Sequence, residues 1–257
     1  MLRTVKILMI LISTAGFLLA GTPEEEGLRI TIELDKANEG FKGEYAEMEM
    51  TLINAHGDKT VRKLNSETME MKNDGDRSIS TFEWPADVKG TRMLTWSHKD
   101  GDDDQWLYLP ALKRVKRIST KNKSGAFMGS EFSYEDLGSQ EVEEFTYKYL
   151  GEEQFNGRDC WKIERYPVSK KSGYSKHIGW YDKEYMNPVR IDYYDRKGEL
   201  LKTGIFSDYK LYDKLWRAGK IVMDNVQTKK SSHLIFTARE LGKEFDEDQF
   251  SSDYLVD

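Results

Sequence analysis

From Tyr45 onward the hydrophobic period is two, broken about every dozen residues by turn-forming clusters, and this pattern restricts the chain to antiparallel sheet. Met48, Met50 and Leu52 point one way, while Glu47, Glu49 and Thr51 point the other. Turns are expected at Asn54–Asp58, Asn73–Asp76, Lys99–Asp104, Asn156-Gly157 and Arg196–Gly198. Asn-Gly is the strongest short hairpin signal, because a two-residue turn needs positive φ at both positions. Strands are expected at Thr60–Met71, Arg77–Trp84, Met93–Ser97, Gln105–Leu109, Phe145–Leu150 and Asp159–Tyr166. They continue at Ser175–Tyr181, Pro188–Tyr194, Glu199–Tyr209, Ile221–Thr228 and Ser232–Phe236. Hairpins that follow one another without a long helix between them do not build a parallel α/β sheet. Ile30, Leu34, Ala37 and Phe41 form one helical stripe at the N-terminal side, and Glu244–Tyr254 reads as a short acidic helix at the tail. No linker or composition break divides the chain, so residues 27–257 are expected as one domain.

The first residues set the expected compartment. Arg3 and Lys6 precede an apolar run from Ile7 to Leu19, followed by Ala20 and Gly21. A basic start, an apolar centre and a small-residue exit describe a cleaved secretory signal peptide over residues 1–20. The run is shorter than the ~20 residues a spanning helix needs, which disfavours a retained anchor, although Leu18 is a poor residue three positions before the cut. Cleavage takes the net charge from −6 to −8. An acidic balance with both signs interspersed argues against nucleic acid as a partner. Cys160, the only cysteine, excludes an intramolecular disulfide and reads as a buried core thiol beside Trp161.

Alternation stops between Ile118 and Phe145. There a polar loop, Lys121–Ala126, leads into Phe127-Met128-Gly129-Ser130-Glu131-Phe132-Ser133-Tyr134-Glu135-Asp136-Leu137. Segments this rich in aromatic residues are not disordered, so the insertion is either a lid over an apolar hollow or a structural plug in the sheet. Together with Trp106-Leu107-Tyr108-Leu109-Pro110-Ala111-Leu112-Lys113-Arg114-Val115-Lys116-Arg117-Ile118, this block resembles the outer-membrane lipoprotein-sorting (LolA-like) family, in the branch associated with RND-type exporters. The resemblance implies an incomplete antiparallel β-barrel, a strongly curved sheet, with a short N-terminal helix and a helical or loop lid. It also implies a monomeric periplasmic carrier of lipid or lipoprotein acyl chains. An inner-membrane exporter (RND or ABC type) and an outer-membrane acceptor would be its partners. No arginine can be matched from sequence to the cavity arginine of the carriers, which leaves the cargo open.

On this reading Trp84, Trp96, Trp106, Phe127, Met128, Phe132 and Tyr134 line the acyl-chain cavity and its lid. Met48, Met50, Met69, Met71, Met93 and Met128 suit a cavity that adapts to flexible tails, or are ordinary core. Arg114, Lys116 and Arg117 meet lipid headgroups or a partner, or else guard an exposed strand from edge pairing. Alternation puts Arg114, Lys116 and Ile118 on one face and Val115 and Arg117 on the other.

Signatures of catalysis are missing from the sequence: no G-x-S-x-G elbow, no H-E-x-x-H and no phosphate loop. His56, His98, His177 and His233 have no ligand spacing, and no metal or cofactor is expected. Asp100-Gly101-Asp102-Asp103-Asp104 reads as a solvated turn in preference to a calcium site, and Glu135-Asp136 as a cap in preference to an acid/base pair. The rival readings are an accessory subunit of an envelope exporter and an unrecognised secreted hydrolase.

Overall fold

The computed structural model describes residues 21–256, and the expected signal peptide at 1–20 lies outside the described residues. Thr22 starts the first element, α1 (Pro23–Asn38): its hydroxyl accepts the Glu25 amide, and the Glu25 carboxylate accepts the Thr22 amide. Pro23 and three acidic residues in the first turn suit the positive end of a helix dipole. Gly27, Ile30 and Leu34 form the buried stripe. The helix stops at Asn38, whose side chain bonds back to the Leu34 carbonyl, so Phe41 falls outside the stripe expected for it.

Fifteen strands follow: β1 (Gly43–Ile53), β2 (Lys59–Met69), β3 (Arg77–Trp84), β4 (Arg92–Trp96), β5 (Asp104–Leu109), β6 (Arg114–Ile118), β7 (Phe145–Phe155), β8 (Arg158–Pro167), β9 (Tyr174–Asp182), β10 (Asn187–Asp195), β11 (Leu200–Ser207), β12 (Lys210–Tyr212), β13 (Leu215–Arg217), β14 (Lys220–Asn225) and β15 (Lys230–Leu241). Thirteen of them make one antiparallel sheet in the order β6-β5-β4-β3-β2-β1-β15-β14-β11-β10-β9-β8-β7. The pair β12–β13 stands apart as a small hairpin inserted between β11 and β14. Asn156 and Gly157 take φ of 49° and 79°, the turn the dipeptide predicts.

The sheet is strongly curved and does not close. Its free edges are β6 and β7, and residues 119–144 run between them. A row of neighbours, Ile163, Gly179, Ile191, Gly204, Met223, Ser232 and Leu52, crosses from β8 to β1 on one face. That concave face carries the main core, with Met48, Met50, Leu64, Phe82, Met93 and Leu107 continuing it through β5. At the other end of the same face, Ile30 and Leu34 of α1 sit on Tyr147 and Ile163.

Asp102, in the β4–β5 turn, accepts Ser169 Oγ (2.8 Å) and Lys171 Nζ (2.9 Å) from the β8–β9 loop. This contact clasps one half of the curved sheet to the other. The acidic turn is therefore a bridge where the sequence suggested a solvated loop. The convex face of β3–β6 is covered by the tail: Phe245, Phe250 and Leu255 pack on Ile79, Leu94, Trp96 and Trp106. The tail forms two 3₁₀ turns, Glu247–Phe250 and Tyr254–Val256, in place of the expected acidic helix, because its apolar residues reach into a sheet and not along a helical stripe. Cys160 is fully buried, and burial pushes its thiol up to about 11, so it is unreactive at neutral pH.

Gly27 marks the closest approach of α1 to the sheet, since a Cβ there would lie 2.9 Å from the Tyr149 amide nitrogen. Gly27→Ala sets a helix-propensity gain of about 1 kcal/mol against overpacking of about 1–3 kcal/mol into rigid backbone. The clash is expected to win, lowering stability by about 1 kcal/mol in urea unfolding. A variant more stable than the parent would show that α1 is not seated this closely.

Candidate functional site: the plugged concave face and its acidic seam

Residues 119–144 lie over the concave face as a chain of 3₁₀ turns, with a miniature hairpin at the centre. The Phe127 amide donates to the Phe132 carbonyl (2.7 Å), the Ser130 amide donates to the Phe127 carbonyl (2.9 Å), and Ala126 bridges Ser133. Met128 and Gly129 form its tip with φ of 49° and 75°. A non-glycine residue there costs about 1–2 kcal/mol. Offsetting this, the Met128 side chain packs on the core and its carbonyl accepts from the Arg62 guanidinium of β2. Phe127 is wholly buried, 5.7 Å from the Phe82 ring and edge-on to Tyr134 at 5.9 Å. Phe132 is buried in the same cluster.

Polar groups of the sheet hold this plug at each turn. Gln105 Nε2 donates to the Tyr134 carbonyl (2.8 Å), Ser232 Oγ accepts the Glu131 amide (2.9 Å), and Asn225 Nδ2 donates to the Glu131 carboxylate (2.7 Å). At the centre, Lys202 of β11 donates to Asp136 Oδ2 (2.6 Å) and to the Glu131 carbonyl (2.8 Å). Both side chains of this ion pair are nearly inaccessible, at 3% and 6%. Asp136 also accepts Tyr174 Oη (2.9 Å) and the Ser133 amide (2.7 Å), closing a capping box. Glu135 accepts Ser172 Oγ (2.8 Å) and the Gly173 amide (2.9 Å). The acidic dipeptide thus anchors the plug.

The proposed cavity residues separate into three groups. Phe127, Met128, Phe132 and Tyr134 come together on the concave face. Trp96 and Trp106 do not: they lie on the convex face, edge-on at 5.2 Å, where Trp96 Nε1 donates to the Phe250 carbonyl. Trp84 is half exposed at the end of β3. Of the methionines, Met48, Met50, Met93 and Met128 are on the concave face, Met69 is on the convex face, and Met71 lines a polar cavity near α1. Arg114 and Lys116 are exposed on the concave side of β6, opposite Leu109 and Leu107, whereas Arg117 turns outward over Trp106 to pair with Asp104. Sequence reading missed Arg62, Tyr174, Tyr193 and Lys202, and named His177 only as a histidine without ligand spacing. Their one signal is a polar residue at a core parity of a strand, which shows only once the register is known.

Two cavities border the plug. One, of about 860 Å³, lies between the end of α1 and the β2–β3 turn and includes Asp35, Asp76 and Glu141. The other, of about 310 Å³, follows the seam closed by Asp102 and is lined by Asp103, Glu135, Glu144, Phe145, Tyr174 and His177, among others. Burial pushes the seam carboxyls up, Asp103 to about 6 and Glu144 to about 8, and beside the larger cavity it pushes Asp76 to about 7. Burial, reinforced by the positive charges of Arg165 and Lys202, holds His177 well below its ordinary value. Among the described residues no cluster of His, Cys, Asp and Glu is arranged to hold a metal.

A structure from Vibrio parahaemolyticus, provisionally named an outer-membrane lipoprotein-sorting protein domain, shares 46% identity with a TM-score of 0.89, covering 91% of this chain and all (100%) of that one. The chain belongs to the outer-membrane lipoprotein-sorting, LolA-like family. A DUF1329 family protein from Desulfovibrio piger matches this LolA-like chain at 29% identity and TM-score 0.87, over 91% of this chain and 100% of that one. A LolA superfamily protein from Nitrosomonas europaea shares the fold, at 17% identity and TM-score 0.71 over the same shares, 91% and 100%. A family model described only as an uncharacterized protein matches residues 74–257, and a search of curated proteins returns no match.

Two predictions test the electrostatics of this LolA-like site. Lys202→Met is expected to cost about 3–5 kcal/mol by leaving Asp136 buried and unpaired, and adding Asp136→Leu should recover most of it. Additive losses in urea unfolding would mean that the two groups do not act as a pair. Folded Glu144 holds its proton to about pH 8, whereas the unfolded carboxyl releases it near 4.5. The folded state therefore binds more protons in between, and stability falls as pH rises through this window. Glu144→Gln should flatten the decline between about pH 6.5 and 8 by up to about 1.4 kcal/mol per unit. An unchanged slope would place Glu144 in contact with water.

Proposed function

We propose that this protein is a periplasmic carrier that shelters lipid acyl chains against its concave face once the 119–144 plug has moved aside. The observation that carries the reading is the makeup of that face. A continuous apolar surface from β1 to β14 is covered by a segment that pairs with no strand of the sheet and is held at separate polar points. A segment bound in this way can leave without breaking a ladder, and the sheet beneath keeps all its own hydrogen bonds. Acyl chains gain about 0.8 kcal/mol per methylene removed from water, so they can take the place of Phe127, Phe132 and Tyr134 without chemistry or nucleotide. Met48, Met50, Met93 and Met223 give that surface side chains that re-pack around a flexible tail. Arg114 and Lys116, exposed on the concave side of the free edge, are suited to anionic headgroups or to an acidic patch on a donor or acceptor.

Locking the plug tests this directly. The Glu131 amide lies 2.9 Å from Ser232 Oγ, so the two backbones are neighbours, and a Glu131→Cys, Ser232→Cys disulfide, its formation verified by thiol titration, ties the plug to β15 while Cys160 stays buried. Binding of a fluorescent fatty acid is expected in the reduced double variant and should fall at least tenfold on oxidation, returning with reductant. Equal binding in both redox states, or none by the parent, would remove the acyl site from beneath the plug.

A further inference from the structure

Antiparallel alternation brings the β1–β2, β3–β4 and β5–β6 turns to one end of the sheet. Two large apolar side chains stand in water there: Trp84, half exposed where β3 ends, and Leu112, two-thirds exposed in the β5–β6 turn. The turns that carry them touch, since a Cβ on Gly90 would lie 3.6 Å from Pro110 Cγ. The Lys113 amide donates back to the Pro110 carbonyl (3.0 Å), which closes the second turn around Leu112.

Single exposed apolar residues are ordinary on a protein surface, so the setting of these two decides what they mean. Lys59, Lys63, Lys89, Lys113, Arg114 and Lys116 share this end of the sheet and are all exposed, and Lys63 stands opposite Trp84 in the β2–β3 register. No ion pair engages any of the six among the described residues, whereas the neighbouring Arg117 is taken by Asp104. The acids of these turns and strand ends are fewer and are met. Asp58 accepts from the Asn54 side chain (2.9 Å), Glu83 accepts from Asn65 (3.1 Å), and Asp87 lies beside the Arg62 charge. This end is therefore basic, although the chain as a whole carries a net charge of −6.

Five of the six cations are lysines. Lysine is depleted from protein–protein interfaces, while its flexible point charge suits a fluid array of lipid phosphates. A tryptophan and a leucine set among cations match the bilayer boundary, where an indole rests at headgroup level and apolar tips reach below it. The same end holds the tip of the plug, because the Met128 carbonyl accepts from Arg62 near the start of β2.

We propose that this end of the sheet docks on an anionic lipid bilayer, with Trp84 and Leu112 at the headgroup boundary and the six cations on the phosphates. Docking needs only the closed protein. Its use in delivery rests on the carrier reading, because it sets the tip of the plug against the membrane.

Flotation of the protein with phosphatidylcholine vesicles, with and without phosphatidylglycerol, tests the surface. Binding is expected only with the anionic lipid, and it should weaken as salt rises. Each cation removed should lower affinity about fivefold, so Lys113→Gln, Arg114→Gln and Lys116→Gln together should lower it on the order of a hundredfold. Trp84→Ser with Leu112→Ser should lower it about tenfold, whereas Leu211→Ser, an exposed residue of the β12–β13 hairpin, should leave it unchanged. All these positions are exposed, and urea unfolding checks that each variant keeps its fold. Acyl-brominated lipid should quench the fluorescence of the parent more than that of Trp84→Phe. Absence of binding to anionic vesicles would overturn the proposal and leave an acidic protein surface as the occupant. Equal binding without phosphatidylglycerol, or binding that both sets of substitutions leave intact, would overturn it as well. The disulfide-locked Glu131→Cys, Ser232→Cys protein should still float with the vesicles, so failure of docking and failure of acyl uptake are told apart.

Discussion

The ion pair between Lys202 and Asp136 is the point on which the concave layer depends. Removing two charges from water costs several kcal/mol per ion, and a buried pair recovers this only when every remaining donor and acceptor is met. Here they are met. Asp136 receives Lys202, Tyr174 and the Ser133 amide, while Lys202 also reaches the Glu131 carbonyl and lies 5.2 Å from the centres of the Tyr174 and Tyr193 rings. An apolar pair at these positions would hold the layers together about as well, but at no defined offset. The directed bonds fix where the plug sits along the face, and so which way Phe127 and Phe132 enter the core.

A second constraint follows from the open sheet. With β6 and β7 both unpaired, the curved sheet has a seam, and the chain closes it with charge: Asp102 to Ser169, Lys171 and Lys123. Polar closure admits water where an apolar closure would not, and the carboxyls drawn in with it are only partly solvated. Asp103 and Glu144 are raised for this reason, by loss of water more than by neighbouring charge. His177 is lowered by the same cause acting on a base. One physical effect thus favours the protonated form of Glu144 and the neutral form of His177 around a single cavity.

Most strands were legible from alternation, because a half-buried strand must repeat every second residue. Arg77–Trp84 was read to the residue. Parity also contained the correction for the tryptophans. Met93 and Trp96 are three apart on β4, and Leu107 and Trp106 are one apart on β5, so in each strand the two cannot share a face. Grouping them by residue type overrode a rule that the chain already stated. The tail was not legible: Phe245, Phe250 and Leu255 recur every five residues, a spacing that fits neither helix nor strand and makes sense only against the convex sheet. Lys202 was hidden for another reason. Its strand looks like an ordinary amphipathic one until the register sets it beside Tyr193, and register is a property of two strands at once.

Whether a packed segment can serve as a lid is a question of exchange energy. Phe127, Met128, Phe132, Tyr134 and Leu137 each contribute about 1.5–3 kcal/mol by burial, on the order of 10 kcal/mol together. On the proposed reading, a sixteen-carbon acyl chain, at about 0.8 kcal/mol per methylene, would gain about 12 kcal/mol from the same surface. Neither occupant dominates, which is what a reversible carrier needs: a plug much better than the cargo would never yield, and one much worse would leave the empty face exposed to aggregation. The polar latches then decide the balance. Each bond to the plug contributes about 1 kcal/mol net, and Arg62, Gln105, Asn225, Lys202 and Ser232 together bias the protein toward closure by an amount comparable to the difference between those two burial terms.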